Sequence, residues 1–259
     1  MDILLNMSIP KKQLKESITR MWDSSSESYD SLEGHGIQSE TEKEVWKNLF
    51  REYAPPGKLE VLDVGCGTCE IGLLFAEMGH HVTGIDLSEK MLAKARAKAK
   101  NRGFEADFRK GDAEEPPFEE GTFDLVVNRH LLWTLPHPEN AVRNWRRVLK
   151  EGGKLLVIDG IWRDESPEGR LRRLASDLAT LLVERRNPWQ GFYSREVNSN
   201  LPNPYGAAPE KTLEYFRGAG FENPGSRDLK EIIELQKKEM PFRKRIAFDY
   251  AYHLTYGEK

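Results

Sequence analysis

Val61-Leu62-Asp63-Val64-Gly65-Cys66-Gly67-Thr68 is an apolar run that ends in an acid and two closely spaced glycines. A short apolar run bounded by turn formers reads as a buried strand. Glycines after it let the backbone turn tightly where a Cβ would hold a ligand away. From about residue 70 to 78 the apolar residues take helical spacing. Strand, glycine turn and helix in that order put the turn at the carboxyl end of a parallel strand, where open α/β sheets form their binding crevice.

Outward from this stretch the alternation continues. Strands are expected at 81–86, around 104–109, at 122–128 and at 154–159, with helices at 88–102 and 139–149 between them. Strands separated by helices imply right-handed βαβ crossovers and a largely parallel sheet. Ser88 suits an N-cap, Gly103 a helix stop, and Gly152-Gly153 a turn from helix into strand. Upstream, residues 8–53 read as helical: Ser39 opens a segment with Val45, Trp46, Leu49 and Phe50 on one face, and Pro55-Pro56-Gly57 ends it. After Asp159, Ser166-Pro167 starts a helix with the stripe Leu171, Leu174, Leu178, Leu181 and Leu182. Residues 187–209 form a long, Pro- and aromatic-rich loop of the kind that covers sites. Helices at 210–217 and up to about 239, an extended piece at 221–229 and a last strand with Phe248, Tyr250, Tyr252 and Leu254 on one face complete the chain. The organisation expected is an N-terminal helical cap (1–57), a core (58–160), a cap insertion (161–208) and a C-terminal return to the core sheet (209–259).

Composition narrows the function. At 259 residues the chain can bury about 70–75% of its extended surface without staples. A formal charge of −3 offers no whole-protein attraction to nucleic acid or anionic membranes. Apolar stretches the size of Leu155–Ile158 are far too short to cross a bilayer. The N-terminus carries Asp2 where a secretory signal is basic, so a cytoplasmic protein is expected. Cys66 and Cys69 are too few for a disulfide framework or a four-thiolate zinc site, and no metal is expected.

The residues also point to a ligand. Asp86 ends the second strand 19 residues after Gly67, about where an acid accepts both hydroxyls of a ribose. The dinucleotide fingerprint wants a third glycine three positions after Gly67, where this chain has Glu70, ill-suited to a pyrophosphate. No Gly-Lys-Ser/Thr follows the turn, so a P-loop fails as well. A cationic nucleoside without phosphate fits acids at Asp63 and Glu70 better, and S-adenosylmethionine is such a ligand.

VLDVGCGT, VTGIDLSEKML, GDAEEPPFEEGTFDLVV and VLKEGGKLLVID occur in that order. In this the chain resembles the class I S-adenosylmethionine-dependent methyltransferases, especially the small-molecule branch that includes quinone-biosynthesis C-methyltransferases. The resemblance covers about residues 20–160. It implies a doubly wound α/β fold with a mostly parallel seven-stranded sheet, its last strand antiparallel, and helical insertions at the N-terminus and between the fifth and sixth strands. It implies that Asp63, Gly65, Cys66 and Gly67 border the methionine moiety and that Asp86 holds the ribose. Leu87 and Met91 would pack near the adenosine, Asp112 and Ala113 meet adenine, and Asn128 lie by the sulfonium. Cys69 stands where the family usually has a third glycine.

The acceptor side is less specific. Methyl transfer from a sulfonium is an in-line displacement that needs a base only when the acceptor is protonated. His130 is the first candidate base and His35 the second. Tyr29, Trp133, Trp162, Trp189 and Tyr193 are candidates to wall an apolar or aromatic acceptor. The partners expected are a small-molecule acceptor, no nucleic acid and no membrane, in a monomer or homodimer. Rival readings remain open: a redox CxxC at Cys66 and Cys69, a nicotinamide-dependent oxidoreductase, an RNA- or protein-directed methyltransferase, and a non-catalytic S-adenosylmethionine-binding protein.

Overall fold

A computed structural model describes residues 9–31, 34–162, 167–168, 170–171, 174, 192–240, 245 and 251–259. Its strands are β1 (Glu60–Val64), β2 (His81–Asp86), β3 (Asp107–Lys110), β4 (Phe123–Arg129), β5 (Leu149–Ile161), β6 (Glu222–Asp228) and β7 (Ala251–Glu258). Among the described residues they form one seven-stranded sheet in the order β3-β2-β1-β4-β5-β7-β6. Neighbours from β3 to β5 are parallel, and β7 runs antiparallel to both β5 and β6. This is the expected mostly parallel doubly wound sheet with its antiparallel last strand.

Both faces of the sheet are covered, and the strand period of two divides the core accordingly. Val61, Leu125, Val127, Leu156 and Ile158 pack on one face, under α2 (Glu40–Tyr53) and α3 (Glu70–Glu77). Leu62, Val64, Val126, Leu155 and Val157 pack on the other, under α5 (Pro138–Val148). The helix between β2 and β3 is α4 (Glu89–Arg102). Ser88 caps it by accepting from the Met91 amide at 3.1 Å, and Gly103 ends it at φ +74°. Later helices are α6 (Arg195–Ser199), α7 (Pro209–Ala219) and α8 (Lys230–Glu239).

The N-terminal helical stretch is interrupted. α1 spans Lys11–Ser25 and α2 starts only at Glu40, with a short 3-10 turn at Tyr29–Ser31 between them. Ser24 and Ser25 donate to the Met21 carbonyl and Ser26 to that of Asp23. Such local side-chain bonds compete with the helical ladder, and Gly34, in the connection to α2, adopts a φ of +80°. Ser39 restarts the helix as expected, accepting from the Glu42 amide. A satellite apolar cluster joins Leu14 and Ile18 of α1 to Tyr193, Val197 and Leu201, so α1 and the 192–201 segment pack together above the carboxyl ends of β1, β2 and β4. Leu178, Leu181, Leu182, Phe248 and Tyr250 lie outside the described residues.

Candidate active site

A cleft of about 720 Å³, including its open mouth, lies beneath α1 at the carboxyl ends of the parallel strands. That size suits a nucleoside-bearing small molecule. Of the residues read from sequence as cofactor ligands, Gly65, Gly67, Asp86, Leu87, Met91, Asp112 and Ala113 line it. Gly65 (φ +61°) and Gly67 (φ +54°) both hold left-handed backbone that favours glycine. Their reasons differ: a Cβ at Gly65 would meet Leu131 Cδ1 at 2.5 Å, whereas one at Gly67 would project toward Tyr29, 3.8 Å away, into the space a ligand can fill. Asp86 accepts from the Gly67 amide at 2.9 Å and the Ser88 amide at 2.8 Å. It keeps lone pairs facing the cleft, and burial pushes its carboxyl up despite those bonds. Trp145 of α5 donates to the Ala113 carbonyl at 2.7 Å and so fixes the loop that carries Asp112.

Three residues of the expected cofactor set sit behind the turn rather than on the cleft wall. Asp63 is buried and accepts from the Gly72 amide at 2.9 Å and from the Cys69 thiol at 3.6 Å, which ties β1 to α3. Burial pushes its carboxyl up to about 7. Cys66 turns toward β2, where a Cβ on Gly84 would lie 2.9 Å from its Sγ. Asn128 is fully buried, with both side-chain polar atoms lacking a partner. Glu70, expected to face the ligand, is instead paired with Lys98 at 2.6 Å and Arg102 at 2.8 Å. Against the upward pull of burial, those cations hold its carboxyl below the ordinary value. The CxxC thiols are also shifted away from the thiolate form. Its partner thiol and burial hold Cys66 well up, and burial raises Cys69 against the bond from Cys66; catalytic thiols require the opposite shift.

On the acceptor side, His130 lines the cleft with φ +58°, and both of its ring nitrogens are buried without partners. Its ring packs 4.6 Å from Trp162, 5.0 Å from Tyr252 and 5.5 Å from His35. His35 in turn meets Tyr29 edge-on at 4.6 Å. Burial, then the Arg129 charge, lowers both imidazoles, His35 to about 3 and His130 well below its ordinary value, so each is neutral. Trp133 and Tyr193 stand one layer back. Trp133 donates to the His130 carbonyl at 2.8 Å and stacks near Tyr193 at 5.2 Å, while the Tyr193 hydroxyl bonds Thr134. Trp189 lies outside the described residues. Sequence reasoning missed Arg129 and Lys15, which both line the cleft. Arg129 directly follows Asn128 in the chain, but nothing local says which way a strand-end side chain turns. Among the described residues no cluster of three or more His, Cys, Asp or Glu suits a metal ion, and no helix is long and apolar enough to cross a membrane.

The chain is similar to known proteins in sequence and in fold. The family described as a methyltransferase domain matches residues 62–157. A phosphatidylethanolamine N-methyltransferase of Cereibacter sphaeroides is 40% identical over 41% of this chain and 53% of its own length. A ubiquinone/menaquinone biosynthesis C-methyltransferase of Ruegeria sp. is 28% identical over 85% of this chain and 89% of its own. The structure of a Haemonchus contortus phosphoethanolamine N-methyltransferase with S-adenosylhomocysteine superposes with a TM-score of 0.65 at 17% identity, over 95% of this chain and 60% of that one, which bears on the fold. Residues 62–157 thus form a methyltransferase domain, and the chain is an S-adenosylmethionine-dependent methyltransferase.

Proposed function

We propose that this cleft transfers a methyl group in line to a small apolar or aromatic metabolite. The observation that carries the reading is that His130 and the aromatic rings of Trp22 and Tyr29 line the same cleft as Gly67 and Asp86. Bound S-adenosylmethionine supplies an electrophilic methyl on a sulfonium. In this reading Asp86 accepts the ribose hydroxyls, Leu87 and Met91 pack on the adenosine, and Asp112 with Ala113 meets adenine. Gly65 and Gly67 admit the methionine end, which Asp63 and Cys66 shape from behind. Asn128, behind the cleft wall, supports the sulfonium end from beneath. Tyr29 and Trp162 wall the acceptor, and Trp133 and Tyr193 hold the cover above it.

His130 takes the proton when the acceptor carries one, with His35 behind it. Being neutral and unpartnered, its ring is ready to accept without first losing a proton. Alignment and exclusion of water supply much of the rate.

The test incubates the protein with methyl-labelled S-adenosylmethionine and a cell extract divided into small-metabolite, RNA and protein fractions. Label is expected in the metabolites. Label confined to RNA or protein overturns the small-molecule reading, and cofactor binding with no transferred label in any fraction points to a sensor.

A further inference from the structure

Arg129 is the group in the cleft that methyl transfer leaves unused. It ends β4 beside Gly65, its Nη2 donates to the His35 carbonyl, and its guanidinium lies 6.0 Å over the Trp46 ring. Its Nη1 is buried with no hydrogen-bond partner. Among the described residues no carboxylate reaches within 4.0 Å of it. The acids nearby are engaged elsewhere: Asp86 with the Gly67 and Ser88 amides, Asp112 with Lys15, and Asp63 with the Gly72 amide and the Cys69 thiol.

A guanidinium drawn partly out of water with no anion in contact is unfavourable, and its planar fork matches a carboxylate in two-pronged fashion. The polar atoms beside it are unpartnered too: Nδ1 of His35 and both ring nitrogens of His130. A neutral imidazole offers one N–H donor, so this corner holds a cation and two uncharged donors with nothing to receive them.

We propose that Arg129, flanked by His35 and His130, is an anion subsite that receives the carboxylate, or an equivalent anionic oxygen, of a small molecule bound in the cleft. The inference rests on the methyl-transfer reading of the same cleft. Two molecules can bring that group there: the cofactor, through its amino-acid end, or a methyl acceptor that is itself an acid.

Two measurements on wild type and Arg129→Gln separate the sources. One is calorimetric titration with S-adenosylhomocysteine and with S-adenosyl-3-thiopropylamine, which lacks only the carboxylate. The other follows label from methyl-labelled S-adenosylmethionine into acidic and non-acidic metabolite fractions separated by anion exchange. If the cofactor brings the carboxylate, wild type prefers S-adenosylhomocysteine by roughly tenfold or more, and the substitution erases that preference while binding of the amine analogue holds. If the acceptor brings it, the preference is unchanged, label enters the acidic fraction, and Arg129→Gln lowers that labelling by a similar factor. Arg129→Lys keeps the charge without the fork, should give intermediate values, and serves in place of Arg129→Gln if that variant does not fold. Unchanged ligand preference together with unchanged labelling in a folded variant overturns the subsite while leaving methyl transfer standing. A wild-type chain that binds neither nucleoside overturns the methyl-transfer reading and the subsite with it.

Discussion

His130 holds φ at +58°, in a region where a non-glycine residue costs energy and where Asn is tolerated better than most. Its backbone is held there from two sides, the amide donating to the Ile158 carbonyl at 2.8 Å and the carbonyl accepting from Trp133. Replacing it by alanine would therefore mix lost chemistry with backbone strain. His130→Asn is the cleaner variant: if the ring takes the acceptor proton, kcat should fall roughly 10²-fold or more while S-adenosylhomocysteine affinity stays within about twofold. Steady-state kinetics beside calorimetry checks this, and an unchanged kcat would make the ring a packing group. Cys69 is a second left-handed residue, at φ +61°, at the position where the family usually has glycine. The resemblance exposed the departure, and the structure shows why glycine is the usual solution there. The chain tolerates a side chain at this point because its thiol is buried against Asp63.

α1 covers the cleft through side chains that reach across to the sheet loops. Lys15 meets both Asp112 and Glu114 at 2.5 Å, and Asp23 accepts from the Ser88 hydroxyl at 2.5 Å. Just beyond the helix, Asp30 accepts from Thr68 at 2.6 Å and pairs with Lys98 at 2.7 Å. Thr68, Ser88, Asp112 and Glu114 lie in the loops that follow β1, β2 and β3, and Lys98 on α4, so the cover and the expected nucleoside end share contacts. The Glu114 side chain is 1% exposed and that of Lys15 14%, which places this pair among the charge contacts that matter. Lys15→Met should cost about 1–3 kcal/mol, and the loss should be local. Hydrogen exchange is expected to quicken at amides of Lys11–Ser25 while those of β1 and β4 keep their protection. Uniform acceleration across the sheet would instead make Lys15 a support of the whole fold.

Across the whole molecule, buried titratable groups pull stability in opposite directions with pH. Burial pushes Asp63 and Asp159 each up to about 7, Asp159 even though it accepts from the Gly160 and Leu132 amides. The folded state then holds these protons more tightly than the unfolded chain, so their contribution falls as pH rises from about 4 to about 7. Burial lowers His35 to about 3 and His253 to about 4, and stability from these rings is lost as pH falls below about 6.5. Asp159→Asn removes one carboxyl of the set. The melting temperature of wild type relative to this variant should decline between pH 5 and pH 8, and a constant difference would mean that Asp159 ionises normally. At the same scale, the alternating strands and helices, the Ser39 and Ser88 caps and the Gly103 stop were legible in the chain, because each depends on residues close in sequence or on one periodic face. The break between α1 and α2 was less legible, since it coincides with several serine side-chain bonds to the backbone rather than with a proline or glycine. The sequence by itself thus determined the fold class and the place of the crevice. Tertiary structure alone decided that Asp63 and Glu70 face α3 and α4 rather than the cleft, that Trp133 and Tyr193 support the cover, and that Arg129 stands unpaired beside His35 and His130. The physical reason is that a side chain's partner across a cleft comes from a distant part of the chain, and only folding brings the two into contact.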